Sequence, residues 1–130
     1  MKDNGKVTNI FLSGVGGQGT ILASNILAEI FLKAGYDVKK AEVHGMAQRG
    51  GDVTTHFRFG KKVYSSLIKY GDVDFLLSFE ELEALRYINW VKPEGKILID
   101  FGSREDICMF EGRHEECPFS LLDGHTQVRE

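Results

Sequence analysis

Only two of the 130 residues are cysteine and only two are proline. Cys108 and Cys117 are too few for the four thiolates of an iron–sulfur cluster and are not spaced like a zinc-ligand pair, so they are expected to be reduced and structural or incidental. A basic excess is also missing. The formal net charge is −3 and no long Lys/Arg run interrupts the chain. That argues against bulk nucleic-acid binding and leaves small molecules or proteins as the expected partners. Apolar runs are broken by charges well before the roughly 18 residues of a bilayer span. The opening MKDNGKVTN lacks a signal peptide's apolar region. The expectation is a cytoplasmic protein with no membrane partner. Internal repeats and low-complexity tracts are absent as well.

What is present suits one soluble domain with a real core: 42% hydrophobic and 27% charged residues. The chain is organised around residues 8–34, TNIFLSGVGGQGTILASNILAEIFLKA. A short apolar run, Ile10 to Leu12, ends at Gly14. Gly16, Gly17 and Gly19 then crowd into one turn before a helical pattern begins near Thr20. Glycine lacks a Cβ, so such a loop takes positive φ and lets backbone approach a ligand closely. Its amides, with the first unpaired amides of the helix, can converge on an anion, most often phosphate. Gly14, Gly16 and Gly19 also fit the G-x-G-x-x-G dinucleotide spacing, with Glu42 about where a ribose-binding carboxylate belongs. The bland alternative is a tight turn that packs helix on strand and binds nothing, although Gly17 is one glycine more than that needs.

The helix from Thr20 to about Lys33 is apolar around most of its circumference. Asn25, Glu29 and Lys33 form a narrow polar stripe, so the helix is expected to be largely buried. Gly35 sits where a C-terminal left-handed glycine belongs. Asp37 to Val43 follows as a strand whose Val38, Ala41 and Val43 can face the core. Strand, helix, strand at this length implies a right-handed parallel crossover. His44 to Gly51, HGMAQRGG, has no period and reads as a second loop on the same sheet edge as the first. Val53 to Phe59 alternates, with Thr54, His56 and Arg58 on a solvated or subunit-facing side. Gly60-Lys61-Lys62 is expected to turn it into Val63-Tyr64-Ser65 as a β-hairpin, which weighs against plain NAD binding. Asp74 to Phe79 reads as a central parallel strand, Glu80 and Glu81 as the start of a helix to about Trp90, Pro93 to Lys96 as a turn, and Ile97 to Ile99 as the next strand. Phe57, Phe59, Phe75 and Phe79 are core by alternation. His114 and His125 support no metal geometry.

The fold class that follows is α/β: an open, mostly parallel Rossmann-like sheet with a β-hairpin insertion and helices on both faces. Strand endings at Ser13, Val43 and Phe79 converge on one edge. Residues 1–100 form the domain. Residues 101–130 show no period and read as an irregular, atypical tail.

Three stretches carry a resemblance that covers Val7 to about Ile99: GVGGQGTILASNILAE at 14–29, EVHGMAQRGGDV at 42–53 and SFEELEALRY at 78–87. The chain resembles the gamma-type subunit of the 2-oxoacid:ferredoxin oxidoreductases, and HGMAQRGG points to the arylpyruvate (indolepyruvate) branch. The resemblance implies oxidative decarboxylation of an aryl 2-oxoacid with coenzyme A, giving an aryl-acyl-CoA, carbon dioxide and reduced ferredoxin. It places thiamine diphosphate and iron–sulfur clusters on a larger partner subunit, with ferredoxin reached through the hetero-oligomeric complex. This chain would hold no cofactor and be inactive alone, as expected of a sequence with no cysteine ligand set and no general-base constellation. On that footing Gly14, Gly16, Gly17, Gln18, Gly19 and Thr20 are candidates for an anionic group, most simply a coenzyme A phosphate, or for shaping the contact with the large subunit. No residue is assigned as catalytic. His44 and Arg49 are the candidates able to change charge state or bind anions, with Gln48 beside them, against the bland reading that they bond neighbouring backbone. Family members usually continue past Ile99 with further helix and strand, whereas this tail differs in texture, as a truncated or frameshifted frame or a diverged short form would. The competing readings are a free-standing Rossmann-type nucleotide-binding module and a docking scaffold without ligand.

Overall fold

The computed structural model describes residues 5–45, 51–100 and 107–111. Its elements are β1 (Thr8–Val15), α1 (Thr20–Lys33), β2 (Asp37–His44), β3 (Asp52–Gly60), β4 (Val73–Ser78), α2 (Glu81–Tyr87), a 3₁₀ turn (Ile88–Trp90), β5 (Val91–Asp100) and β6 (Ile107–Glu111). They build one six-stranded sheet in the order β2-β3-β1-β4-β5-β6. β1, β4 and β5 are parallel, while β3 is antiparallel to both β1 and β2 and β6 is antiparallel to β5. β2 therefore runs in the same direction as β1, as the crossover expectation requires, but β3 lies between them.

The hairpin exists, with a different partner. β3 does not turn back onto Val63 to Ser65. It pairs with β2 from Asp37↔Gly60 to His44↔Val53, and with β1 from Thr8↔Phe59 to Val15↔Asp52. A three-residue segment cannot compete with two full-length ladders, so residues 61–72 cross to β4 without regular structure. β3 is internal, so both of its edges are paired, and its faces are covered as well, by α1 over Phe57 and Phe59 and by Trp90 and Ile68 at His56. Thr54 and His56 are buried, not solvated, and His56 packs against Phe11 and Trp90. β5 also begins earlier than expected and runs through Pro93 to Lys96, with a register shift against β4 between Val73 and Phe75. β6 lies within the stretch expected to be irregular.

Alternation in β1 divides the core. Leu12 points to the α1 side with Phe57 and Phe59, and Leu27 and Phe31 of α1 close over them, Phe31 stacking on Phe59 at 3.8 Å between ring centroids. Phe11 points to the other side, joining Ile68, Val73, Leu76, Ala84, Val91, Ile97 and Ile99 under α2. Helices thus lie on both faces. Each fully buried Phe, Leu or Ile contributes roughly 1.5–3 kcal/mol, so these two clusters dominate stability.

α1 is not largely buried. Only Thr20 and Ser24 are fully covered, and Leu22, Ile26 and Ile30 are each more than half exposed. A sheet covers one stripe of a helix, and the opposite apolar stripe meets no other described element. Phe75 is likewise 40% exposed, contrary to its expected place in the core. Phe79 is partly buried against the Leu12 cluster.

At the start of β1 a polar network replaces apolar packing. Asn9 is buried. Its backbone amide donates to Asp74 Oδ2 (2.9 Å), its side-chain amide donates to the Asp72 carbonyl (2.8 Å), and Arg58 Nε donates to its Oδ1 (2.8 Å). Lys92 bridges Asp74 at 2.9 Å and Asp72 at 3.3 Å. Burial alone would lower the Lys92 pKa, but the bonds to Asp74 and Asp72 outweigh it and raise it. No helix among the described residues is long and apolar enough to cross a membrane.

Candidate functional site

The glycine loop is built to narrow tolerances. Gly14 lies inside β1, not in the turn, and a Cβ there would stand 2.6 Å from Thr20 Oγ1, 3.0 Å from Gln18 Oε1 and 3.2 Å from Phe79 Cβ. This glycine lets the first turn of α1 approach the strand. Gly17 and Gly19 serve the other purpose: nothing crowds them, but their φ angles of 96° and 90° lie in the left-handed region that other residues resist. Gln18 folds back so that its Oε1 accepts from the Val15 amide at 2.7 Å, while its own amide donates to the Val15 carbonyl at 3.1 Å. Its side chain thereby closes the turn from within.

α1 then starts with Gly19 as its cap. No side chain bonds the helix end, and the first turn holds no acid. Ala23 is the first amide with a helical acceptor, the Gly19 carbonyl at 2.9 Å. The amides of Thr20, Ile21 and Leu22 have no acceptor among the described residues. Thr20 is 3% exposed and its hydroxyl has no hydrogen-bond partner among the described residues. A buried hydroxyl without a partner costs about 1–3 kcal/mol, and here the oxygen packs against Gly14 of β1, where the helix meets the strand.

The second loop meets the first, as the sheet-edge argument requires. The Gly16 amide donates to the Gly51 carbonyl at 2.9 Å, the Gly45 amide to the Asp52 carbonyl at 2.7 Å, and the Phe79 amide to the Ser13 carbonyl at 2.9 Å. Between the loops is a cleft of about 650 Å³ lined by Val15, Gly16, Gly17, Gly19, Thr20, Ile21, His44, Gly45 and Val53. Its lining combines the glycine turn and the start of α1 with the aliphatic residues Val15, Ile21 and Val53. Among the described residues of the lining, His44 is the only ionisable one. Such a cleft can take a ligand with an anionic group and an apolar or planar body.

His44 is the last residue of β2, not part of the loop, and its side chain is 54% exposed. Its Nε2 lies 3.9 Å from Glu42 Oε2. Glu42 in turn accepts from Lys40 at 2.7 Å, and Lys40 also donates to Asn25 of α1. The carboxylate at the ribose position is thus already engaged by an ion pair, which counts against the dinucleotide reading. Arg49 and Gln48 lie outside the described residues, as do Cys117, His114 and His125.

Sequence reasoning did not single out Ile21, Val53, Val15 and Gly45. The first three are ordinary aliphatic residues, and only the β2–β3 pairing brings Val53 beside the glycine loop. Glu80 stands at the start of a helix as expected: its carboxylate caps α2 by accepting from the Glu83 amide at 2.9 Å. On the opposite face Glu83 is buried, and one of its oxygens has no hydrogen-bond partner among the described residues. Burial first, then Asp52 and Glu80, push its carboxyl above the usual range against the opposing pull of Arg86.

The pyruvate ferredoxin/flavodoxin oxidoreductase family model matches residues 9–123. Indolepyruvate oxidoreductase subunit IorB of Pyrococcus horikoshii is 51% identical over 92 residues, which are 71% of this chain and 46% of the relative. The chain therefore spans about half the length of the curated relatives it matches. Among solved structures, the gamma subunit of the keto/oxoacid ferredoxin oxidoreductase from Geobacter sulfurreducens is similar at 29% identity and TM-score 0.57, over 72% of this chain and 50% of that one. The 2-oxoglutarate:ferredoxin oxidoreductase of Magnetococcus marinus shares the fold at 22% identity and TM-score 0.63, over 78% of this chain and 18% of that one. With the family model covering most of its length and the gamma-subunit resemblance met in both sequence and fold, this chain belongs to the pyruvate ferredoxin/flavodoxin oxidoreductase family.

Proposed function

We propose that this chain is the small, gamma-type subunit of an aryl 2-oxoacid (indolepyruvate):ferredoxin oxidoreductase, and that its cleft receives the phosphate-bearing part of coenzyme A. The reaction in this reading is oxidative decarboxylation of an arylpyruvate with coenzyme A to an aryl-acyl-CoA, carbon dioxide and reduced ferredoxin. Thiamine diphosphate and the iron–sulfur clusters, which supply the carbanion and electron-transfer chemistry, belong to a large partner subunit. This chain is inactive alone.

The observation that carries the reading is the start of α1, where the amides of Thr20, Ile21 and Leu22 have no acceptor among the described residues and the glycine turn beside them lines the cleft. Those donors suit phosphate oxygens, and the helix dipole favours their charge. Val15, Ile21 and Val53 suit the apolar part of a nucleotide. His44 at the rim, with Arg49 and Gln48 in the connection that follows it, adds side chains able to bind further anionic groups. The similarity to indolepyruvate subunits supports the arylpyruvate class.

The test is arylpyruvate-dependent reduction of a viologen dye by this chain mixed with the cognate large subunit, the large subunit alone being the control. Turnover should need both chains and coenzyme A. Gly17→Asp places a carboxylate in the loop and should raise the KM for coenzyme A about ten-fold or more, the equivalent of ~1.4 kcal/mol. Unchanged coenzyme A affinity in that variant removes the phosphate role while leaving the subunit assignment intact.

A further inference from the structure

β2 closes one side of the sheet, and its open edge is neither short nor blunted. From Asp37 to His44 it pairs with β3 in one unbroken register, without a bulge or a proline. Among the described residues no strand pairs with its other side. An edge of this kind is a template for another strand unless it carries features that oppose pairing. Two hydrogen bonds tell which backbone groups face outward. In an antiparallel ladder both groups of a residue point to the same side, and successive residues alternate. The Gly45 amide donates to the Asp52 carbonyl at 2.7 Å, so Val43, Ala41, Lys39 and Asp37 bond β3, while Val38, Lys40, Glu42 and His44 turn their amides and carbonyls to the open edge. The bond from the Gly16 amide to the Gly51 carbonyl fixes the same alternation from the β1 side, turning Val53 and Thr55 toward β1 and Thr54 and His56 toward β2.

The side chains select the register in which a second copy of this edge fits. Lys40 and Glu42 lie on the α1 face, 2.7 Å apart, and Lys40 also bonds Asn25 of α1. Lys39 and Val43 lie on the other face, and Val43 is 52% exposed. Two copies related by a two-fold axis through the edge meet antiparallel. Centring them on Lys40 sets lysine against lysine, and centring them on Glu42 sets glutamate against glutamate, each a repulsion. Centring them on Ala41 sets Lys40 against Glu42 of the other copy, twice by symmetry, and Val38 against His44. That register engages every outward amide and carbonyl of the strand. It brings Ala41, the smallest side chain of β2, to the closest approach and lays the Lys39 stem over the exposed Val43.

We infer that two copies of this chain pair antiparallel through β2, centred on Ala41, so that one sheet runs across both molecules. Lysines on an edge strand usually oppose such pairing. Here Lys39 and Lys40 are balanced within the same strand by Asp37 and Glu42, and the edge carries no net charge to repel its copy. The joint lies in the plane of the sheet, and the glycine loop, at the end of β1, is two strands in from it. Because the paired strands run oppositely, the two clefts fall at opposite ends of the joint and both stay open. The pairing holds whether or not the cleft takes coenzyme A.

The test is sedimentation equilibrium of the full chain and its variants, joined to disulfide trapping. The unaltered chain should form dimers as its concentration rises. With Cys108 and Cys117 replaced by serine, Ala41→Cys should oxidise to a disulfide between residue 41 of the two copies, because facing Cα atoms of such a pair stand about 4.5 Å apart. Lys40→Cys, which faces Glu42 of the other copy, should not. Lys40→Glu and Glu42→Lys should each weaken self-association about ten-fold or more, since either change sets like charges opposite each other at both symmetric positions. A mixture of these two variants should associate as tightly as the parent, because every facing pair is again of unlike charge. Thermal unfolding midpoints serve as the folding control, and trapping at residue 41 decides alone if a charge variant fails to fold. A chain that stays monomeric up to about 1 mM overturns the inference. So does a dimer that is trapped through Lys40→Cys, that is not trapped through Ala41→Cys, or whose affinity is the same in folded charge variants, as association through the exposed stripe of α1 would be.

Discussion

Gly14→Ala tests whether close approach of helix and strand, and not loop flexibility, demands a glycine at the start of the motif. The added methyl would stand 2.6 Å from Thr20 Oγ1, well inside contact, and 3.0 and 3.2 Å from Gln18 Oε1 and Phe79 Cβ. Gln18 can yield by a few tenths of an ångström, at some expense to its 2.7 Å bond with Val15. Thr20 cannot, because a β-branched side chain at 3% exposure in a helix has one or two allowed rotamers. Overpacking of this kind costs about 1–3 kcal/mol, so Gly14→Ala should lower stability by ~2 kcal/mol, roughly thirty-fold in the folded-to-unfolded ratio. Thr20→Ala alone should be nearly neutral, since the methyl it loses is offset by removal of a buried hydroxyl with no partner. In the Thr20→Ala background the worst clash is gone, and Gly14→Ala should then cost ~1 kcal/mol or less. Urea unfolding of the four proteins measures the cycle directly, with coupling of about 1 kcal/mol expected. An equal penalty for Gly14→Ala in both backgrounds would show that contact with Thr20 is not why glycine stands there.

Two pH effects follow from buried groups. Burial lowers the His56 pKa below 6.5, so the unfolded chain binds a proton that the folded chain refuses. Stability should therefore fall as pH drops below 6.5, and His56→Gln, though less stable at neutral pH, should lose that part of the slope in urea titrations. A slope unchanged in the variant assigns it elsewhere. Glu83 behaves oppositely: burial raises its folded pKa above 4.5, so its contribution is fully present below pH 4.5 and is lost as pH rises through the folded value. Glu83→Gln should thus be more stable than the parent at pH 8, with the difference shrinking toward pH 4.5; a variant less stable throughout would mean the carboxylate is satisfied by charge.

Much of the site was legible in local sequence because its requirements are local. Crowded glycines after an apolar run mark a turn with positive φ, and Gly17 and Gly19 have it. A helical pattern beginning at Thr20 and ended by Gly35 marks α1, whose first amides lack a partner within the helix whatever surrounds them. Strand direction put the segment after β2 on the same sheet edge as the glycine loop, and its described ends are there, Gly51 accepting from the Gly16 amide and Gly45 donating to Asp52. Other features were misjudged because they depend on which strands are neighbours. The alternation of Val53 to Phe59 says that one face differs from the other, not that Phe11, Trp90 and Ile68 pack on the polar face at His56. Hence His56 and Thr54 were expected near solvent and are buried. α1 was expected to be enclosed because it is apolar nearly all round, yet enclosure is a property of what packs on it.

By itself the sequence determined the glycine turn, the helix that follows it, the strand endings that share an edge and the family to which the chain belongs, since each rests on residue types at short spacing. Only the tertiary structure decided that β2 and not residues 63–65 pairs with β3, that Val53 and Ile21 line the cleft, and that Thr20 is buried with its hydroxyl unpaired among the described residues. These are outcomes of long-range pairing, where the pleat carries side chains from distant segments to one face and burial leaves one polar atom without water.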